Sequence, residues 1–532
     1  MKVHCGHGRL PAYRESVKWR ANMGSDPCQY HERATPSARL VAVIAAAVAV
    51  SACASISRDS AGADGGAGGN LPILQPDASS QNDAFSTDGR NADMARDVNT
   101  DVPGACRNLA CQQTSCKVGA CQQMPCAGGA KTTVTGTVYD PAGNVPLYGV
   151  AVFVPNTPLS PLPKGAACNR CQATIENSLS AALTDAKGQF RLDDVPVGDN
   201  IPLVMQVGKW RRSVTISTVA ACTNTALTDP NLTRLPRNQA EGDLPMIALT
   251  TGGHDALECL LRKVGIDDSE FSPEAGKGHV NLFAGAGGTD RYAATVNGGA
   301  RFTPVEPWWN SVDNLKKYDV VLFSCEGVPN ATNKSPAAVQ AFQSYADAGG
   351  RIFASHWHNY WIEHAPPPLS TVATFDDQQP PLNEFVSTVD VSFPKGSAMA
   401  DWLNNVGASP ARGQLTIEGT RNTVTAIDGG LAQKWLYGNS PSSVQYLSTN
   451  TPVGLTDEQQ CGRVVYSDIH VSSGAKAGFP RDRSLAGPGD PDLGFPFPSG
   501  CVNTDLSPQE LVMVFMLFDL QACITGGVPV IQ

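Results

Sequence analysis

Over residues 244–532, apolar residues come in short unbroken runs. MIALTT (246–251), HVNLFAG (279–285), YDVVLFSC (318–325) and RIFASHW (351–357) carry little polar alternation. That is the pattern of strands covered on both faces. Stretches at helical spacing separate them. Leu257, Leu260, Leu261 and Val264 follow Asp255, with Glu258 three residues after it; this predicts a helix opened by a capping box. Ser335 and Pro336 open another, with Val339, Phe342 and Ala346 on one face and Gly349-Gly350 closing it. RVVYSDIHV (463–471) reads as a further strand, and Ser507, Pro508 and Glu510 cap a nearly all-apolar helix from Leu511 to Leu520, which must be buried. Strand following helix following strand predicts an α/β domain on a parallel sheet, with a β-rich insertion at about 366–462.

The rhythm differs over 131–222. TTVTGTVYD (132–140) and GVAVFVP (149–155) alternate about a DPAGN turn, and TDAKGQFRLDDVPVGDNIPLVMQV (184–207) supplies two more strands. Gly136-Thr137-Val138, the run from Thr184 to Phe190 and Val195-Pro196-Val197-Gly198 resemble the carboxypeptidase regulatory-like domain. The resemblance implies a small prealbumin-like β-sandwich without catalytic residues. In the α/β region, Tyr318 to Phe323, Gly349 to His356 and Gly462 to His470 resemble the class I glutamine amidotransferase-like fold, including its trehalose-utilisation branch. That resemblance implies a flavodoxin-like three-layer domain. The whole is therefore expected to be multidomain.

A chain of 532 residues, 42% hydrophobic and 7% aromatic, is too long for one core. Arg39 precedes an apolar run from Leu40 to Val50, short for a membrane span and suited to a signal-peptide core. Val50-Ser51-Ala52-Cys53 resembles the lipobox of bacterial lipoproteins. The resemblance implies lipidation of Cys53, export, and a membrane partnership through the lipid anchor. Ala54 and Ser55 after the cysteine imply outer-membrane or cell-surface placement by the same family rule. A start at Met23 would leave a shorter leader with Arg33 and Arg39. Residues 55–103 are rich in Gly, Ala, Ser, Asp and Asn and read as a flexible tether. This arrangement behind a lipobox also resembles a group of myxobacterial surface proteins. A net charge of −10 offers no positive field for phosphate backbones, so nucleic acid is excluded as a partner.

Of sixteen cysteines, Cys5 and Cys28 fall in the leader and Cys53 is set aside for the lipid; export puts the other thirteen, an odd number, in an oxidising compartment. Cys106, Cys111, Cys116, Cys121 and Cys126 recur every fifth residue, a step that aligns sulfurs on neither a helix nor a strand. Disulfide-closed loops are expected there, with a metal cluster or interchain crosslinks as alternatives. Cys168 and Cys171 form a C-x-x-C pair in a Pro-rich loop and are expected to bond to each other. Cys222, Cys259, Cys325, Cys461, Cys501 and Cys523 are six further disulfide candidates, with Cys259 and Cys523 placed to staple distant helices.

The chemistry is expected beyond the strand ends, where open α/β sheets collect ligands. On extended backbone His356 and His358 share one side, as do Asp468 and His470. Together they form a candidate ligand set for zinc or another divalent metal. The amidotransferase family places a glycine-flanked nucleophile here, but this chain has Ala354-Ser355-His356-Trp357-His358. His470 matches the family's triad histidine in position, yet the nucleophile is missing, so that chemistry is expected to be lost. Cys325 is considered as a relocated nucleophile and set aside, because its helix begins only at Ser335. Whether the protein is an enzyme stays open. The leading expectation is a surface binding or adhesion component gripping carbohydrate or envelope protein near Trp357 and Trp361. The second is a metal-dependent hydrolase using His356, His358, Asp468 and His470.

Overall fold

The computed structural model describes residues 108–109, 123, 125–168, 175, 177–471, 495–501 and 503–524. The leader, Cys53, the tether, Cys171 and the repeat from Cys106 to Cys121 lie outside them.

Seven strands make the first domain: β1 (Thr133–Thr137), β2 (Ala151–Pro155), β3 (Ser178–Leu183), β4 (Gln189–Leu192), β5 (Gly198–Val207), β6 (Trp210–Val219) and β7 (Asn224–Leu227). They form a three-stranded sheet, β4-β1-β7, and a four-stranded sheet, β3-β2-β5-β6. Alternation along β4 buries Phe190 and Leu192 and exposes Gln189 and Arg191. Val134, Val152, Val154, Leu203 and Met205 join those two in one apolar core. Pairing of β7 with β1 carries this domain past Cys222 to Leu227.

The second domain runs β8 (Ile247–Thr250), α1 (Leu257–Lys263), β9 (Phe271–Ser272), β10 (Val280–Ala284), β11 (Thr303–Pro304), β12 (Val320–Phe323), α2 (Pro336–Asp347), β13 (Arg351–Ser355), α3 (Asn359–Glu363), β14 (Ala373–Phe375), β15 (Leu382–Val389), α4 (Pro394–Asn405), β16 (Gln414–Thr420), β17 (Val424–Ile427), β18 (Gln433–Asn439), β19 (Ser442–Thr451), β20 (Gly462–Ser467) and α5 (Pro508–Gln521). Its main sheet has the order β11-β10-β8-β12-β13-β20-β19-β18-β15-β16. From β11 to β20 every pairing is parallel. From β20 to β16 every pairing is antiparallel. The β-rich insertion therefore extends the same sheet.

The predicted caps form for α2, where Ser335 Oγ accepts from the Ala338 N–H, and for α5, where Ser507 and Glu510 complete a capping box. From Glu510 to Gln521, α5 is buried throughout. The expected cap at Asp255 does not form. Helix α1 starts one residue later, with Ala256 as its N-cap and no side-chain cap bond; the Asp255 carboxylate is used elsewhere.

Several links tie the domains together. Lys209 forms a buried ion pair with Asp319, Trp402 Nε1 donates to Pro146 O at 2.6 Å, and Cys168 is bonded to Cys461. The expected Cys168–Cys171 bond is thereby overturned, since the sulfur of Cys168 is taken by a residue 293 positions away. Cys126 is bonded to Cys222, and Cys259 to Cys501. So Cys259 staples α1 to the segment before α5, not to Cys523, although Cys523 is itself disulfide-bonded.

Candidate metal centre

Strands β8, β12, β13 and β20 lie side by side and parallel, so their carboxyl ends open on one edge of the sheet. β8 has β10 on one side and β12 on the other. The chain order reverses there, and a crevice opens at such a switch point. Within five residues of these four strand ends come His254 and Asp255, Cys325, His356, and His470.

His356 is the conformational outlier. Strand β13 ends at Ser355, and His356 takes φ 40°, a left-handed conformation rare for a side-chain-bearing residue. The turn carries its ring out of the strand's alternation. Nδ1 of His356 lies 3.2 Å from Cys325 Sγ and 3.2 Å from His470 Nε2. The sulfur and the two nitrogens all fall within 4.8 Å of one another, and all three residues are buried. On the far side of the His356 ring, Nε2 is buried without a hydrogen-bond partner among the described residues.

The partners of each ligand set its chemistry. His470 Nδ1 lies 3.2 Å from Gly419 O, and a carbonyl only accepts, so Nδ1 is the donor there and Nε2 is the nitrogen that faces the centre. Burial first, then the neighbouring His470, Arg421 and His254, holds the His356 imidazole well below its usual range, so this ring is neutral. Cys325 is a free thiol receiving N–H bonds from Gly327, at 3.4 Å, and from Trp357. Burial and then the charge of Asp255 push this thiol well above its ordinary value. A dication between the three atoms would reverse that preference, because a coordinated thiol is deprotonated.

Asp255 holds the strand ends together. Its carboxylate accepts from the backbone N–H groups of Cys325 (3.2 Å) and Val471 (2.9 Å) and from Ser355 Oγ. His254, half-buried, brings its ring centroid to 5.9 Å from that of His470. Gly327 makes this approach feasible: it has φ 88°, and a Cβ there would meet His254 Nδ1 at 2.6 Å. Glu326 lies in a buried ion pair with Lys334 at 2.6 Å and accepts from the Ala286 N–H, which steadies the loop after β12.

Two members of the expected ligand set point elsewhere. His358 is wholly buried, donates Nε2–H to Ser324 O at 2.9 Å and accepts from Trp361 Nε1 at 2.9 Å. After His356 the chain turns into a 3-10 helix, so the two-residue alternation that would have aligned these histidines is lost. Asp468 turns away as well. It accepts from Tyr466 OH at 2.8 Å and from the N–H groups of Thr423 and Val424 at 2.7 and 3.1 Å. Burial pushes its carboxyl up to about 6. Trp361, expected as an exposed binding surface, is 1% exposed and packs on His358 and Phe342. Trp357 is half-buried beneath the Arg421 guanidinium, 5.0 Å from its ring centroid. Cys325, expected among the disulfides and set aside as a nucleophile, is instead the sulfur of the cluster. Position after a strand was the signal that could have found Cys325, His254 and Asp255, since it is the same signal that marked His356.

One sulfur and two imidazole nitrogens at these separations suit a tetrahedral first-row metal with a fourth position left for water or substrate.

No family model and no curated protein matches the chain. Among solved structures, a ThuA-like protein from Bacteroides uniformis is 12% identical and covers 47% of this chain and 87% of its own, with a TM-score of 0.25. A type II cohesin–X-dockerin complex from Acetivibrio cellulolyticus is 15% identical over 26% of this chain and 74% of its own, TM-score 0.14. An exo-β-1,4-mannosidase from an Opitutaceae bacterium is 10% identical over 43% and 33%, TM-score 0.19. At these scores the class of the second domain, α/β on a parallel sheet, rests on its own strand order.

Proposed function

We propose that this chain is an exported, lipid-anchored protein whose α/β domain is a metal-dependent hydrolase, with Cys325, His356 and His470 as the ligands. The convergence of those three donor atoms at adjacent strand ends carries the reading. The reaction class is the one the histidine pattern pointed to, with Cys325 taking the place of His358 and Asp468. A bound dication supplies Lewis acidity and a water acidic enough to lose a proton near neutral pH. Around it, Asp255 holds the Cys325 backbone, the Gly419 carbonyl orients His470, and half-buried His254 is the nearest further base. The lipobox resemblance at Cys53 supports anchoring at the outer membrane or cell surface. The phrases shared with the carboxypeptidase regulatory-like domain support a prealbumin-like spacer. The parallel order from β11 to β20 supports a flavodoxin-like second domain, and the lack of a glycine-flanked nucleophile at Ala354 to His358 supports loss of amidotransferase chemistry.

The test is the metal content of the purified full chain and of its Cys325→Ser and His470→Asn variants. The expected result is about one divalent ion per chain, retained at least ten-fold more weakly by both variants while circular dichroism stays unchanged. A folded wild-type chain that binds neither zinc nor cobalt overturns the reading.

One observation favours the second reading, surface binding of carbohydrate or envelope material, and moves it away from Trp357 and Trp361. A cavity of about 600 Å³ lies between the domains, lined by Tyr148, Trp402, Trp435 and Phe515 among others. Aromatic walls with a few polar groups are the usual make-up of small-molecule sites. Loss of polysaccharide retention in Trp435→Ala, with metal content intact, would favour this reading over the hydrolase.

A further inference from the structure

Beside the metal centre lies a cation without a carboxylate partner among the described residues. Arg421 sits between β16 and β17, and the backbone around it is fixed. Its N–H donates to Asp468 O at 3.1 Å, and its carbonyl accepts from Gln445 Nε2 at 2.9 Å. Two and three residues further on, the N–H groups of Thr423 and Val424 are gripped by the buried Asp468 carboxylate. This loop presents the Arg421 side chain over Trp357, whose ring centroid is 4.6 Å from that of His356. Among the described residues the guanidinium makes one hydrogen bond, from Nη2 to Asp377 O at 3.2 Å. Among the described residues it has no carboxylate partner, and its Nε is buried without an acceptor. A buried N–H without a partner loses its hydration with no compensation, and the cost is greater when the group is charged.

The second orphan lies beside it. A histidine bound to a metal through Nδ1 carries its proton on Nε2, and such histidines nearly always give that proton to an acceptor. His356 is 2% exposed, and among the described residues its Nε2 has none. The acids near the crevice do not fill either need. Glu326 is paired with Lys334, Asp255 accepts from Cys325, Ser355 and Val471, Asp377 accepts from Asn359, and Asp468 accepts from Tyr466, Thr423 and Val424. Among the described residues, one cationic and one neutral nitrogen are thus left without an acceptor.

We propose that Arg421 is a specificity-determining residue that docks an oxyanion of the substrate, a carboxylate or a phosphate monoester, beside the metal centre, with His356 Nε2–H as the second donor. An oxyanion offers acceptor lone pairs to both orphaned groups, and Arg is the side chain best shaped to hold one. The face of Trp357 attracts the guanidinium and limits its wandering. The inference rests on the metal-centre reading. It adds that neutral substrates are excluded.

The experiment uses the full chain loaded with cobalt(II), whose visible absorption reports on the coordination sphere. Acetate and inorganic phosphate are titrated separately into wild type, Arg421→Ala and Arg421→Lys. Wild type is expected to show saturable spectral change with at least one of the two anions. Arg421→Ala should weaken that binding at least ten-fold at unchanged cobalt content, and Arg421→Lys should recover part of it. Response to acetate alone assigns a carboxylate, and response to phosphate alone a phosphate monoester. Cobalt uptake without any anion response, or equal anion affinity in Arg421→Ala, overturns the inference and leaves the metal centre standing. A chain that takes up no cobalt overturns the metal-centre reading and this inference with it.

Discussion

Nε2 of His470 and Nδ1 of His356 stand 3.2 Å apart although 114 residues separate them in sequence. Two features produce the contact. Strands β13 and β20 are parallel neighbours with Ser355 opposite Ser467, so both chains leave the sheet at the same level. His356 follows its strand at once and turns left-handed, whereas His470 comes three residues after Ser467, past a bend that buries Asp468. Two unlike exits thus deliver two rings to one point.

The carboxylate of Asp255 ties Cys325, Ser355 and Val471 together, so its loss leaves buried donors without an acceptor. Asp255→Ala should lower stability by about 2–4 kcal/mol and weaken metal affinity by about 10–100-fold. Chelator competition and urea unfolding, run side by side, check both effects. Unchanged metal affinity in a folded Asp255→Ala chain would remove Asp255 from its positioning role.

Asp140 lies in the first domain, where burial pushes its carboxyl up from 3.8 to about 6 against the N–H groups of Val145, Asn144 and Gly143. The folded chain therefore holds this proton more tightly than the unfolded one. Its contribution to stability is complete below about pH 4 and is lost as pH rises through about 6. A rise of this size corresponds to about 3 kcal/mol. Urea midpoints measured from pH 4 to pH 7 should fall less steeply for Asp140→Asn than for wild type; parallel slopes would contradict this account.

The Cys259–Cys501 bond closes a span of 242 residues and holds α1 against the approach to α5. Long closed loops restrict the unfolded chain most, and removing such a bond costs about 2–5 kcal/mol. The double replacement Cys259→Ser/Cys501→Ser should lower the thermal midpoint by several degrees without altering the far-ultraviolet spectrum. A midpoint equal to that of wild type would mean that packing of α5 alone holds these elements.

Much of the second domain was legible because unbroken apolar runs and helix caps are local signals. MIALTT, HVNLFAG, YDVVLFSC, RIFASHW and RVVYSDIHV all contain strands, and Ser335 and Ser507 both cap helices. Asp255 carries the same local signal as those serines and behaves differently, because three donors from β12, β13 and β20 compete for its carboxylate and win. The candidate site was half legible for a related reason. His356 and His470 follow strands, and so does Cys325, which lacks a nearby helix. Yet N–H groups supplied by Gly327 and by Trp357, in the 3-10 turn that follows β13, reach its sulfur.

Local spacing by itself determined which segments are strands and helices, where the strand ends fall, and that ligand-grade side chains gather there. It extended the two-residue alternation through His358 and Asp468, and there the tertiary structure decided otherwise. Sheet order brought Cys325, His356 and His470 together, while the left-handed turn at His356 and the bend at Asp468 sent the other two away. The physical reason is that periodicity describes a chain only while its backbone stays regular. Sites of this kind form where strands end, and there the direction of each side chain is set by long-range hydrogen bonds.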